Sequence, residues 1–179
     1  WVVRELGSPA SGTTSIAFSR DGSRVASGSE DGVLAVWDVA SGRELATQRL
    51  EGYLGPILFS SDDSEILAHH TGSAGKSVKA HVLSILDSKT ARLLGQRELN
   101  NCRWIEAFSP DGLRIASANL ETVHLWDTTT GALLASLQHD VLVSALSFSP
   151  DGKRLLTGPY DGVLRLWDIA SSDLLLKQL

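Results

Sequence analysis

The sequence predicts an all-β protein built from four consecutive four-stranded antiparallel units. Two markers alternate along the chain, and apolar residues recur with a period of two rather than with the period of an amphipathic helix. The first marker is a Phe-Ser pair that contains every Phe of the chain: Phe18, Phe59, Phe108 and Phe148. The second is a bulky residue followed by Asp: Trp37-Asp38, Leu86-Asp87, Trp126-Asp127 and Trp167-Asp168.

The spacing of the markers sets the repeat. Each marker Asp precedes the next Phe by 21 residues (38 to 59, 87 to 108, 127 to 148), whereas the distance from Phe to Asp is 20, 28, 19 and 20. The repeat is therefore about 40 residues, and the second unit carries eight extra residues between its second and third strands. The predicted units are 14–52, 53–101, 102–140 and 141–179, and residues 1–7 are expected to be the outer strand of a preceding unit.

Turn residues place the strands of the fourth unit. Ser149-Pro150-Asp151-Gly152 forms a turn in which proline presets φ and glycine supplies a positive φ, and Asp161-Gly162 forms the next turn. The intervening strands, named a to d, are predicted at 143–148, 154–158, 163–167 and 173–178.

Composition excludes several classes of protein. With 42% hydrophobic and 21% charged residues, the chain is neither disordered nor a membrane bundle. Its net charge of −5 argues against nucleic acid and membrane partners, which attract basic surfaces. The single cysteine, Cys102, forms no intrachain disulfide, and a cytoplasmic location is expected. The chain contains no Met, so Trp1 is not expected to be a translation start.

The repeats resemble the WD-repeat β-propeller family. The resemblance rests on FSPDG at 148–152 with TGPYDGVLRLWD at 157–168, and on FSRDG at 18–22 with SGSEDGVLAVWD at 27–38. It implies that each unit is a blade with strand a lining a central channel and strand d at the rim. Because rings of this family usually have more than four blades, the chain is expected to be an arc of a larger ring.

The resemblance also implies a structural polar network in each blade, running through a His, a Ser or Thr on strand b, an Asp in the b–c turn and the strand c Trp. The second blade departs most, because Leu86 replaces Trp and His69-His70 lie near the Ser position, so packing is expected to hold it. The matching residues are His139, Thr157, Asp161 and Trp167 in the fourth blade, Ser27, Asp31 and Trp37 in the first, and Ser117 and Trp126 in the third.

No catalytic residues, cofactor or metal site are predicted. His139, Asp161, Thr157 and Ser147 contain the parts of a hydrolase, but the repeat assigns them to blade stability and no nucleophile-elbow motif is present. The segment 72–77 fails as a phosphate loop, because the position that needs Gly is His70.

Two further features leave alternatives open. His69, His70 and His81 form either part of a metal site or a surface loop. From Lys76 to Arg103 there are six basic and two acidic residues (6 − 2 = +4), which form either an electropositive sector for an acidic partner or solvated strand edges.

Partner contacts are expected where the b–c and d–a loops of the family share one face. Trp104 is either an anchor for a partner or a filler beside the irregular second blade, and Glu106 is the one carboxylate on the channel strands. The candidate partner-binding residues are Glu30, Tyr53, Arg103, Trp104, Asn119 and Tyr160, together with the 70–81 insertion and its Lys76 and Lys79.

The expected function is a noncatalytic scaffold that presents this face to a protein or peptide of acidic character, and a small-molecule ligand is not expected. The alternative is a sensor or regulatory module of a larger signalling enzyme whose catalytic domain lies outside this chain. A propeller enzyme would need convergent titratable groups, and Glu106 has no second group beside it.

Overall fold

A computed structural model describes residues 5–7, 11–72, 80–99 and 105–170. Within these ranges the chain is all-β, as predicted, with fifteen strands. The chain divides into two compact units, residues 1–98 and 99–179, and each is described by itself. No helix in the described part has the length and apolar character needed to cross a membrane.

Unit 1 contains two antiparallel sheets in which consecutive strands are neighbours, the arrangement of a meander. The first sheet, blade 1, contains β1 (Thr13–Phe18), β2 (Arg24–Ser29), β3 (Val33–Asp38) and β4 (Glu44–Arg49). The second, blade 2, contains β5 (Leu54–Phe59), β6 (Glu65–Gly72), β7 (Ala80–Asp87) and β8 (Leu93–Leu99).

Unit 2 repeats this arrangement. Blade 3 contains β9 (Ile105–Phe108), β10 (Arg114–Asn119), β11 (Thr122–Asp127) and β12 (Leu133–Gln138). Blade 4 contains β13 (Val143–Phe148), β14 (Arg154–Pro159) and β15 (Arg165–Asp168). The strand predicted at 173–178 lies outside the described residues.

Strand c of blade 4 begins two residues later than predicted, at Arg165. The Val163 N–H donates to the Asp161 carboxylate at 2.9 Å, so the residues after the Asp161-Gly162 turn are held by a local side-chain contact rather than by the strand ladder. The predicted start of strand a, Val143, is confirmed.

The eight extra residues of blade 2 lie between β6 and β7, as the spacing predicted. The expectation that 70–81 is a loop is wrong for residues 70–72 and for residues 80 and 81, which lie in these two strands. Both strands are eight residues long, and their pairing continues to Gly72 opposite Ala80. The extra residues therefore lengthen the hairpin before the 73–79 segment, which lies outside the described ranges.

Asp side chains organise the turns at one end of the blades. In each a–b turn the Ser hydroxyl donates to the Asp carboxylate two positions later, at Ser19, Ser60, Ser109 and Ser149. Hydrogen bonds from Ser23 and Ser19 lower the pKa of Asp21 to about 2. In blade 4, Gly152 has the expected positive φ, 67°. The marker Asp residues of the first three blades accept from Ser41, Thr90 and Thr130 in the c–d turns.

Asp63 departs from this turn pattern. It occupies the position of Gly22 and Gly152 with a φ of 57°, a conformation that costs a non-glycine residue energy. Its carboxylate accepts the backbone N–H groups of Arg20 at 2.7 Å and Asp21 at 3.1 Å from the adjacent blade. In blade 3 the position of Arg20 is Pro110, which has no N–H to donate.

Adjacent blades within a unit share one core. Strand a of the later blade packs against strands b and c of the earlier one, and small residues on strand b admit the larger ones. A Cβ on Gly28 would lie 2.8 Å from Ile57 Cδ1, which shows how closely the two sheets approach. The core of unit 1 includes Ala26, Leu34, Val36, Ile57 and Phe59, and that of unit 2 includes Ala116, Val123, Leu125, Val143 and Leu155.

Candidate functional site

The b–c turns of blades 1 and 4, and the end of β6 in blade 2, lie beside the segment that precedes strand a of the same blade. One backbone hydrogen bond joins them at the same repeat position each time: Glu30 N–H to Gly12 O at 3.0 Å, Thr71 N–H to Tyr53 O at 3.0 Å, and Tyr160 N–H to Leu142 O at 2.9 Å. We call this end of each unit the turn face. The candidates Glu30, Tyr53 and Tyr160 all lie on it.

In unit 1 the backbone segments of the turn face are joined to one another by hydrogen bonds. The Leu50 N–H donates to Gly32 O at 2.8 Å, and the Tyr53 N–H donates to Thr71 Oγ1 at 3.1 Å. Glu30 and Tyr53 are exposed above this layer. The layer therefore fixes the positions from which both side chains extend into solvent.

In unit 2 the turn face carries an apolar patch formed by Leu120, Leu142 and Tyr160. Their side chains are 50%, 44% and 74% exposed. The Val143 N–H donates to Leu120 O at 3.0 Å, so the backbone joins all three residues through the d–a connection. Leu120 has a φ of 57°, and one residue is missing from this turn relative to blades 1 and 4, which have Asp-Gly there. Large exposed apolar side chains at fixed positions are typical of protein interfaces.

The charges on the described part of the turn face are acidic. Both basic side chains there are paired: Arg49 binds Asp31 at 3.1 Å, and Arg165 binds Asp161 at 2.7 Å. Hydrogen bonds from Ser29 and Ser11 lower the pKa of Asp31, and the hydrogen bond from Arg165 lowers that of Asp161. The patch of unit 2 is flanked by exposed Glu121 and Asp140.

In blade 4 the structure joins three of the four residues assigned to the polar network. The Trp167 Nε1–H donates to Thr157 Oγ1 at 3.0 Å, and His139 Nε2 lies 2.8 Å from the same oxygen. His139 Nδ1 lies 3.2 Å from Leu137 O, which only accepts, so the imidazole carries its hydrogen on Nδ1 and accepts the Thr157 hydroxyl through Nε2.

The inclusion of Asp161 in that hydrogen-bonded chain is wrong. Its carboxylate accepts both Arg165 guanidinium N–H groups, at 2.7 and 3.2 Å. Blade 1 has Ala35 where blade 4 has Arg165, and there Asp31 accepts from Ser29 and Ser11 instead. In both blades this Asp organises the turn and does not contact the Trp–Ser/Thr pair.

The Trp–Ser pair recurs in blades 1 and 3. The Trp37 indole N–H donates to Ser27 Oγ at 2.9 Å, and Trp126 donates to Ser117 Oγ at 3.0 Å. Both hydroxyls are buried, and each satisfies an indole N–H that is also removed from water.

In blade 2 both members of the pair are replaced. Leu86 takes the Trp position, and the register places Ala68, not His69 or His70, at the Ser position. Ala68 and Leu86 are fully buried, so packing replaces the hydrogen bond there, as expected. A different polar cluster lies beside it: His70 Nε2 is 2.8 Å from Ser84 Oγ, and His70 Nδ1 is 2.8 Å from Glu51 O.

His69 and His81 face each other across β6 and β7. The ring centroids are 5.2 Å apart, and His81 Nδ1 lies 3.2 Å from His69 Nε2. His70 points to the opposite face of β6, because successive side chains of a strand alternate, and its ring contacts Ser84 and Glu51 instead. Within the residues that the structure describes, no third His, Cys, Asp or Glu joins this pair in a metal-binding group.

Burial of His70 makes the stability of the chain depend on pH. Desolvation lowers the His70 pKa below its ordinary value of 6.5, so the unfolded chain binds the proton more readily than the folded chain. We expect the free energy of unfolding to fall as the pH decreases through 6.5, and to fall less steeply in His70→Gln. Urea denaturation of both proteins from pH 7 to pH 5 measures this difference. Parallel slopes would contradict it, because His124, whose pKa is also lowered by burial, contributes equally to both proteins.

Four candidates, Arg103, Trp104, Lys76 and Lys79, lie outside the described residues, and the side chain of Glu106 is likewise not described. Asn119 is half-buried at the end of β10, opposite Thr122, and contributes less surface to the turn face than Leu120 beside it. The sequence reasoning missed Leu120 and Leu142. The signal for Leu142 was its register equivalence to Tyr53.

Sequence reasoning also missed two arginines that connect blades. Arg24 donates to Ser88 O at 3.0 Å and Ser88 Oγ at 2.8 Å, and Arg114 donates to Ile169 O at 2.9 Å. Both occupy the first position of strand b, and both acceptors directly follow a marker Asp in the adjacent blade. The sequence signal for these contacts was that Arg24 and Arg114 occupy the same position of the repeat.

Comparison with known proteins agrees with this architecture. The model of the WD domain, G-beta repeat family, matches residues 2–38 and 131–168. Over 92% of its length the chain superposes on 96% of the computationally designed Ika4 protein, with a TM-score of 0.67 and 25% sequence identity.

Several curated proteins are similar in sequence. Periodic tryptophan protein 2 of Saccharomyces cerevisiae is 32% identical over 88% of this chain, and nuclear distribution protein PAC1-2 of Uncinocarpus reesii is 29% identical over 99%. Serine-threonine kinase receptor-associated protein of Mus musculus is 26% identical over 78%. The chain spans only 17%, 41% and 38% of these relatives, respectively. The repeat register, the Trp–Ser/Thr pairs and these similarities together support a WD-repeat β-propeller family for this chain, and the WD-repeat relatives are typically protein-interaction scaffolds.

Proposed function

We propose that the chain is a noncatalytic scaffold whose turn face binds a protein or peptide. The observation that carries the proposal is the patch of Leu120, Leu142 and Tyr160, which holds three large apolar side chains in solvent on a backbone joined by hydrogen bonds. A preformed surface of this kind loses little conformational entropy when a partner binds. Tyr160 is its most exposed member and presents an aromatic ring with a polar tip, a combination enriched among the residues that dominate interface energies.

The charges around the patch indicate the partner's chemistry. Glu121 and Asp140 lie beside it, whereas Arg165 is occupied by Asp161. We therefore propose a peptide segment with apolar side chains flanked by Lys or Arg as the ligand of this part of the face. The expectation of an acidic partner rested on the six basic residues from Lys76 to Arg103, with Trp104 and Tyr160 on the same face, and it stays a prediction.

Panning a random-peptide display library on the purified chain tests this function. We expect selected peptides to be enriched in basic and apolar residues, and we expect Tyr160→Ala to weaken their binding at least about tenfold. Glu121→Gln/Asp140→Asn should weaken binding mainly at low salt, because the attraction it removes is screened at high salt.

Leu45→Ala/Leu94→Ala is the matched control. It truncates two exposed leucines on the outer strands β4 and β8 and leaves the turn face unchanged. Fluorescence anisotropy of a labelled selected peptide gives the dissociation constant for each variant. Equal binding by wild type and Tyr160→Ala, or equal losses in the Tyr160 and control variants, would remove the turn face of unit 2 as the binding site.

A further inference from the structure

The interface between adjacent blades has two complementary sides. The incoming side consists of alternate residues of strand a, and the outgoing side consists of residues of strands b and c. Between blades 1 and 2, Ile57 and Phe59 are only 6% and 4% exposed because they pack in one core with Leu34 and Val36. Between blades 3 and 4, Leu146 and Phe148 pack on the core that contains Val123 and Leu125.

The same positions are exposed at two places in the chain. On the incoming side of blade 1, Ile16 and Phe18 are 69% and 65% exposed, although they align with Ile57 and Phe59. On the outgoing side of blade 4, Leu164 and Leu166 are 68% and 62% exposed, although they align with Leu34 and Val36. Each side therefore has the residues of a blade interface, and no blade among the residues that the structure describes covers them.

The connecting arginine follows the same pattern. Arg24 of blade 1 and Arg114 of blade 3 each donate to a backbone carbonyl of the following blade. Their equivalent in blade 4, Arg154, is exposed, and its guanidinium makes no hydrogen bond to any residue that the structure describes. In blade 1 the carbonyl at the position of these acceptors, Ser88 of blade 2 and Ile169 of blade 4, belongs to Val39.

We propose that the outgoing side of blade 4 binds the incoming side of blade 1 from a second copy of this chain, head to tail. Each of the two compact units contains this interface, between blades 1 and 2 and between blades 3 and 4, and the two sides that no described blade covers carry the same residue types. One contact buries Leu164 and Leu166 against Ile16 and Phe18, and it places Arg154 at the Val39 carbonyl of the other copy. Because the two surfaces differ, the contact is heterologous, and both sides of each copy are used when the assembly closes.

Two charge substitutions test the contact. Ile16→Glu and Leu166→Glu each place a carboxylate in every interface of a head-to-tail assembly, where burying an unpaired charge is costly. We expect the wild-type chain to have a mass of at least twice 19.2 kDa by light scattering, and each variant to run as a 19.2 kDa monomer. The apparent dissociation constant should rise at least about 100-fold. Both residues are exposed within the chain, so circular dichroism should show wild-type folding.

Mixing the two variants determines the polarity of the contact. The intact blade 4 side of Ile16→Glu can bind the intact blade 1 side of Leu166→Glu, so the mixture should recover a dimer that neither variant forms alone. Leu113→Glu is the control, because Leu113 is a similarly exposed leucine that lies in a turn. The other blades have polar residues at this position: Ser23, Ser64 and Lys153. The Leu113→Glu variant should associate like the wild-type chain.

A wild-type chain that stays monomeric up to about 100 μM would overturn the proposal and assign both sides to another occupant, such as further blades of a longer polypeptide. Loss of association in only one of the two variants would also overturn it, because that result indicates a symmetric contact between identical sides.

Discussion

Replacing Gly32 with Ala should destabilise the chain by more than about 3 kcal/mol. Gly32 lies in the b–c turn of blade 1 with a φ of +84°, and a Cβ there would lie 2.3 Å from Leu50 O and 2.6 Å from Gly52 O. Neither acceptor is the end of a flexible side chain, so the 50–52 backbone would have to move. That movement would also break the hydrogen bond from Leu50 N–H to Gly32 O.

Gly162→Ala is the matched control because Gly162 occupies the same Asp-Gly position in blade 4 with a φ of +77°, and no atom of the described residues lies within 4 Å of its Cβ position. It carries the conformational cost of a positive φ alone, about 1 to 2 kcal/mol. Guanidinium denaturation of the two variants separates the steric cost from the backbone cost. Equal losses of stability would show that the 50–52 connection does not cover Gly32 in solution.

Thr157→Val should cost about 2 to 4 kcal/mol, although the two side chains have nearly the same shape. The Thr157 hydroxyl is fully buried, accepts from the Trp167 indole and donates to His139 Nε2. Valine leaves both of these ring nitrogens without the hydroxyl, beside a buried His139 and a half-buried Trp167. Thr157→Ser keeps the hydroxyl and should lose only about 1 kcal/mol, the contribution of one buried methyl group.

A double-mutant cycle with His139→Ala tests whether the hydroxyl acts as the shared centre. In Thr157→Val the hydrogen bond between the hydroxyl and His139 Nε2 is already lost. The losses of unfolding free energy in the two single variants should therefore sum to about 0.5 to 3 kcal/mol more than the loss in the double variant. Thermal or urea unfolding of the four proteins provides the cycle. Additive losses would place His139 and Thr157 in separate networks.

The repeat and most of its turns were predictable from the sequence because they depend on local residue chemistry. Ser149-Pro150-Asp151-Gly152 predicts the same turn in any context, since proline fixes φ, Asp accepts nearby N–H groups and Gly tolerates a positive φ. The end of strand a in blade 4 was predictable for the same reason, because this turn ends the strand at Phe148.

Side-chain partners that depend on a neighbour were less predictable. Asp161 was assigned to the polar network by its position, but its partner was decided by Arg165, a residue that the other blades do not share. Likewise, Asp63 stands where the repeat favours Gly, and only the three-dimensional structure shows that its carboxylate binds two amides of the adjacent blade. Val36 is buried because blade 2 packs against it, whereas no described blade covers the equivalent Leu166.

The exchange of Trp–Ser for Leu86–Ala68 in blade 2 restricts how this blade can evolve. An indole opposite Ala68 would have no acceptor for its N–H, and a serine opposite Leu86 would bury a hydroxyl without its donor. Either single substitution, Leu86→Trp or Ala68→Ser, should therefore give a protein that is less stable than one with the Leu–Ala pair or one with the Trp–Ser pair. The two pairs are alternative solutions, and only a simultaneous change of both residues would convert one into the other without that loss of stability.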